Sequence, residues 1–162
     1  MPQPVIHPLS PVISAQSHTL ILGTMPSPRS RAEGFYYAHP QNRFWRVLAA
    51  VYDEAVPQTT GERTALLCRH GLALWDVLAS CTVTGAADSS IRCPVPNDIA
   101  ALLRQYPGIS RICTTGSTAA RLYRQLVLPQ TGIAADGLPS PSAANARASF
   151  AQLLSAYRAV LL

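Results

Sequence analysis

Two short runs, Thr19-Leu-Ile-Leu22 and Leu72-Ala-Leu-Trp75, carry apolar side chains almost without a break, and each precedes a turn and then a helical pattern. A strand with one wet face alternates between apolar and polar residues. A strand covered on both faces does not, and its usual home is a parallel sheet. Arg111-Ile-Cys-Thr114 reads as a third such strand and Ile133–Ala135 as a weaker one. Strands alternating with helices predict an α/β fold, with helices on both faces of a parallel sheet. Right-handed crossovers then gather the loops that follow the strands along one edge. Three loops are expected to meet there: Gly23–Asn42, Asp76–Asp88 and Leu138–Asn145.

The rest of the chain fits between these strands. Residues 1–17 hold four prolines and little periodicity, and are expected to lie on the surface as an arm. Phe44, Trp45, Val47, Leu48, Val51 and Tyr52 fall at helical spacing. Glu62–Arg69 reads as a second helix closed by Gly71. Ala79–Pro96 is rich in polar residues, Gly and Pro, and reads as a loop. Asn97 is the expected N-cap of a helix running to Gln105, which Pro107 and Gly108 stop. Gly116-Ser117 is a tight turn before a helix over Thr118–Leu126. The last helix spans Arg147–Leu161, with Phe150, Leu153, Leu154, Tyr157 and Leu161 on one side.

Composition narrows the chemistry. With 162 residues, 48% hydrophobic and 13% charged, the chain can bury one sizeable core, so a single domain over 1–162 is expected. The net charge of +5 favours a polyanion, and it is made by thirteen arginines with no lysine. No lysine means no P-loop and no lysine Schiff base; only the amine of Pro2, freed by loss of Met1, remains for the latter. Cys68, Cys81, Cys93 and Cys113 form no CxxC pair, so no metal, cluster or other cofactor is expected and the thiols should be reduced. Apolar stretches are too short to cross a bilayer and no leader opens the chain, so a cytoplasmic monomer is expected.

The loop after the first strand holds the most chemistry. It reads Gly23-Thr24-Met25-Pro26-Ser27, then Gly34-Phe35-Tyr36-Tyr37-Ala38-His39-Pro40-Gln41-Asn42-Arg43-Phe44-Trp45. Loops at strand ends of open α/β sheets are where ligands bind. Aromatic rings, an amide and arginines suit a flat aromatic ligand attached to phosphates. Three consecutive aromatics cannot all point inward along an extended segment, so at least one is left for a ligand.

These segments resemble the uracil-DNA glycosylase superfamily, and most of all its hypoxanthine-DNA glycosylase branch. The carriers are Gly23 to Ser27, Ala38-His-Pro-Gln-Asn-Arg-Phe-Trp45, Leu74-Trp-Asp-Val-Leu78 with Asp88-Ser89, and Leu138-Pro-Ser-Pro-Ser142, in that order along most of the chain. The resemblance implies a three-layer α/β/α sandwich with a short central, mostly parallel four-stranded sheet. It implies a base-excision repair enzyme that flips a deaminated base, hypoxanthine first, out of DNA and hydrolyses its N-glycosidic bond without cutting the strand. It gives Tyr37 the role of stacking on the flipped base and Asn42 that of the essential amide. Met25 stands where other branches keep a water-positioning Asn or Asp, and Leu138 where they keep an Asn or His.

Other candidates remain open between two readings. Asn42 can serve catalysis, cap the following helix, or both. His39 can stabilise charge or brace its loop. Asp76 can read a base N–H or hold a turn, and Asp88 likewise. Gly23, Thr24 and Phe35 are expected at the substrate. Ser27, Ser140, Pro141, Ser142 and Asn145 are expected at the DNA backbone, with ordinary helix capping as the alternative for the Pro/Ser loop. Gly116-Ser117-Thr118 reads as structural. The competing functions are an inactive nucleic-acid-binding relative, a uracil- or mismatch-specific glycosylase, and an enzyme acting on a free nucleoside.

Overall fold

The computed structural model describes residues 2–84 and 90–162; the expectations placed on Asp88 and Ser89 lie outside them. Four strands, β2 (Thr19–Gly23), β3 (Leu72–Asp76), β6 (Arg111–Thr115) and β7 (Asp136–Leu138), form one sheet in the order β3-β2-β6-β7. All its pairings are parallel. β2 is buried at every position, as a strand covered on both faces must be.

Alternation along β2 sorts the two sides. Ile21 packs with Phe44, Leu48, Leu66, Leu153 and Tyr157, which come from α2 (Phe44–Val51), α3 (Thr60–Arg69) and α7 (Phe150–Leu161). Leu20 and Leu22 pack with Ile99, Leu102, Leu122 and Tyr123 on the opposite side. Those residues belong to α4 (Ile99–Gln105), to α5 (Ser117–Leu122) and to the turn of π-helix, Tyr123–Val127, that joins α5 to α6 (Leu128–Thr131). The expected three layers are therefore present.

Several expectations need correction. Ala79–Pro96 is no plain loop. β4 (Leu78–Val83) and β5 (Arg92–Pro96) pair antiparallel, and β1 (Gln3–Ile6) pairs with β4, making a second sheet β1-β4-β5. Prolines concealed β1 and β5, but proline is tolerated on edge strands, which both are; β4 was hidden by its half-polar sequence. Residues 1–17 are not simply an arm on the surface: Ser17 and the His7 side chain are buried, and the segment is tied down twice. Beyond β1, Val12 exchanges both backbone hydrogen bonds with Leu74 and covers the edge of β3. The loop after β2 contains α1 (Pro28–Glu33), started by Ser27 as N-cap with Pro28 behind it and ended by Gly34 at φ 77°. Asp98, not Asn97, caps α4. The weak strand lies three residues later than expected, as β7.

Candidate active site

The parallel strands end at Gly23, Asp76, Thr115 and Leu138, all on one edge. The chain passes from β2 to β3 on one side of it, then crosses to β6 on the other. In open α/β sheets such a reversal is where the ligand crevice forms, at the carboxyl ends of the strands. Gly23 and Asp76 are register partners there. A Cβ on Gly23 would lie 2.5 Å from Asp76 Oδ1, 3.2 Å from the Tyr37 hydroxyl and 3.6 Å from Thr115 Oγ1. Three polar atoms thus converge on one point, and only glycine lets the strand pass beneath them.

Tyr37 comes from the loop after β2. Its hydroxyl shares a hydrogen bond with Thr115 Oγ1 at 3.1 Å. Its ring stacks on Phe44, the first residue of α2, with centroids 3.9 Å apart and planes 13° apart. The backbone at Tyr37 has φ 51°, a left-handed conformation that a bulky residue holds only under constraint. This turn explains the aromatic triplet. Tyr36 is 3% and Phe35 8% exposed, while Tyr37 alone is half-buried. Phe35, expected at the substrate, belongs to the core, where it stacks on Trp45. The Tyr36 hydroxyl donates to the carbonyl of Ser10.

Asp76 is 4% exposed. Its Oδ2 receives a hydrogen bond from His7 Nε2 at 2.7 Å. Asn97 Nδ2 donates to its backbone carbonyl at 2.9 Å and to that of Leu78 at 3.1 Å. Burial raises the Asp76 carboxyl above its ordinary range, and the bond from His7 opposes that rise. Burial, with Asp76 adding to it, likewise raises the Tyr36 and Tyr37 hydroxyls, so both stay neutral. His7 escaped the sequence reading because nothing in a proline-rich terminus says where it will pair.

Arg43, not Asn42, is the N-cap residue of α2, but Asn42 Oδ1 accepts the backbone N–H of Phe44 at 2.9 Å and so satisfies the first N–H of that helix. Its Nδ2 makes no bond among the described residues. His39 is exposed; its Nδ1 accepts from Gln41 N and its carbonyl from Asn42 N, which braces the turn that presents the amide. Thr24 is buried and its carbonyl accepts from Leu78 N. Met25 is half-buried and packs on the α4–α5 side of the sheet.

The Pro/Ser loop is held from within and by Arg43. The Ser140 and Ser142 hydroxyls accept the backbone N–H groups of Ser142 and Ala144. Asn145 Nδ2 donates to the Ser140 carbonyl. The Arg43 side chain donates to the carbonyls of Ala148 at 2.6 Å, Ser142 and Asn145 at 3.0 Å and Pro141 at 3.4 Å, while its backbone N–H also reaches Pro141. Between this loop and residues 40–46 lies a groove of about 400 Å³ lined by Pro40, Gln41, Arg43, Arg46, Ala143, Asn145, Ala146 and Ala148. Ser27 does not join it; its hydroxyl caps α1. Leu138 is buried in the α2–α7 side of the core.

The sequence matches the family model of the uracil DNA glycosylase superfamily over residues 10–161. The chain belongs to this superfamily. Relatives within it include the hypoxanthine DNA glycosylase of Methanosarcina acetivorans, 33% identical over 139 residues that make up 85% of this chain and 87% of that protein. The hypoxanthine DNA glycosylase of Methanosarcina barkeri is 30% identical over 138 residues, 85% of this chain and 86% of that protein. A solution NMR structure of a candidate uracil DNA glycosylase from Methanosarcina acetivorans superposes with a TM-score of 0.78 at 29% identity, covering 93% of this chain and 95% of that one. The chain is thus a base-excision DNA glycosylase. Among the described residues, no helix is long and apolar enough to cross a membrane.

Proposed function

We propose that this glycosylase removes deaminated bases from DNA, hypoxanthine first, as a cytoplasmic monomer that leaves the strand uncut. The observation that carries the reading is the convergence of a buried carboxylate and a constrained, half-buried tyrosine at the sheet edge. Phe44 backs one face of Tyr37; the flipped base stacks on the other, a contact worth about 1–3 kcal/mol. Asp76 accepts a ring N–H of that base. Hydrolysis passes through sugar with oxocarbenium character and a departing base anion. Asn42 is the catalytic amide. The cap bond to Phe44 fixes its rotamer, which leaves Nδ2 as an oriented donor and the second lone pair of Oδ1 for water. His39 holds the turn beneath it. Gly23 and Thr24 shape the floor, and Met25 supplies no polar group of its own. The DNA backbone runs along the groove beside the Pro/Ser loop, where Asn145 and Arg46 form part of the wall; Ser140, Pro141 and Ser142 belong to the same loop but stand outside the groove lining, and reach phosphates from its rim.

Duplex oligonucleotides carrying one hypoxanthine, uracil or xanthine, treated with enzyme and then alkali, test this directly. Breaks at hypoxanthine that exceed those at uracil are the expected result, and none before alkali. Activity on free deoxyinosine but not on the duplex would overturn the assignment.

A further inference from the structure

His7 bonds at both ring nitrogens. Nε2 lies 2.7 Å from Asp76 Oδ2, and Nδ1 lies 3.2 Å from the backbone nitrogen of Leu9. A backbone N–H can only donate, so Nδ1 must be the acceptor and carry no proton. The ring proton therefore sits on Nε2 and is donated to Asp76. A neutral imidazole with a fixed tautomer thus holds one carboxylate oxygen from behind. The other, Oδ1, faces the point beside Gly23 where Tyr37 and Thr115 also converge. Those two hydroxyls are engaged with each other. The groups facing Asp76 are His7 from the segment after β1 and the hydroxyls of Tyr36 and Tyr37 from the loop after β2. The His7 ring lies among Tyr36, 6.1 Å away between centroids, and Trp75, 6.5 Å away. Its side chain is 3% exposed, so it is held in one place.

We propose that His7 is a positioning residue that presents Asp76 as a hydrogen-bond acceptor and so restricts the enzyme to bases carrying a ring N–H at that position. The inference rests on the assignment of Asp76 to the base site. Its chemical content is a substrate class. Adenine and cytosine present a bare ring nitrogen, an acceptor, where hypoxanthine and uracil present N–H. Deamination therefore turns an acceptor into a donor in both cases. A carboxylate oxygen repels the first kind and binds the second, and a site built around a hydrogen bond rejects partners that lack it far better than an apolar pocket does. An amide at the same place could rotate and accept either kind; an ionised carboxylate cannot. The selectivity comes at some cost in rate, because a carboxylate beside a departing anion opposes its charge.

The test uses the full chain and duplexes carrying hypoxanthine or 1-methylhypoxanthine, which lacks the ring N–H. Single-turnover rates are measured from acid to neutral pH for wild type, His7→Leu and His7→Gln. Wild type should cleave hypoxanthine at least about tenfold faster than the methylated base. His7→Leu should lose most of that ratio. Without the donated bond, Asp76 protonates at higher pH, so the acid limb of the deoxyinosine profile should move up by about one pH unit. His7→Gln has an N–H in place of the imidazole N–H, and it should restore both the ratio and the limb. A purely structural His7 would lower thermal stability and leave both unchanged, which would overturn the proposal. Should His7→Leu not fold, imidazole 15N shifts of the wild type decide: His7 must show a protonated Nε2 and a bare Nδ1, and a ring protonated on Nδ1 refutes the idea. A wild type inactive on deoxyinosine would instead defeat the substrate assignment, an outcome read before any variant is made.

Discussion

Replacing Arg43 by lysine should unlock the Pro/Ser loop without touching the base site. The guanidinium fork reaches four carbonyls on that loop and its exit, three of them at 3.0 Å or less. An ammonium is a single point with tetrahedral donors, and it cannot span carbonyls that a planar fork bridges. It keeps one good bond and loses two. Hydrogen bonds from a charged donor contribute about 1.5–3 kcal/mol each, so the gross loss is about 3–6 kcal/mol. The loop is partly exposed, with Ala143 and Ala144 at the surface, and water returns to the freed carbonyls. A net cost of about 2–3 kcal/mol remains. For a chain of this size that lowers Tm by about 4–12 °C. Urea and thermal unfolding read the stability. Single-turnover rates at saturating enzyme and DNA affinity at several salt concentrations read the function. We expect weaker binding with a largely preserved chemical step, because Tyr37, Asp76 and Asn42 do not lean on the guanidinium. A Arg43→Lys protein within about 0.5 kcal/mol of wild type would refute the reasoning, since it would mean that water serves those carbonyls as well as the guanidinium does.

Gly23→Ala places a methyl group 2.5 Å from Asp76 Oδ1, so the carboxylate or the tyrosine must move by about 1 Å and the single-turnover rate should fall by about 10²-fold; a change below threefold would show that neither group needs its present place. Asn42→Asp keeps an oxygen for the Phe44 cap but loses the amide donor, whereas Asn42→Ala loses both and should cost about 1 kcal/mol more in stability. Both should be inactive on deoxyinosine, and a fully active Asn42→Asp would reduce the residue to a cap. Borohydride added during turnover should trap no protein–DNA adduct, because the chain has no lysine; a trapped adduct would point to the amine of Pro2.

The sequence determined the layers. Apolar runs at Thr19–Leu22 and Leu72–Trp75, with helical patterns between them, have few physical solutions, because strands buried on both faces require helices on both sides. The order of the chain also put Tyr37 and Asn42 in the segment that follows the first strand, because both lie between Gly23 and Trp45. What the sequence could not decide depends on partners far along the chain. Prolines argued for an arm and a loop where β1, β4 and β5 form a sheet, because an edge strand can forgo N–H bonds that its own sequence does not reveal. Phe35 and Tyr37 are two residues apart in one aromatic run, and only the positive φ at Tyr37 sent one to the core and the other to the crevice. Nothing in the sequence shows that the Arg43 side chain is taken up by four carbonyls about a hundred residues away. The His7–Asp76 bond spans 69 residues and joins two elements by one contact. No periodicity encodes such a contact; it exists only once both sheets have been assembled and their edges brought together.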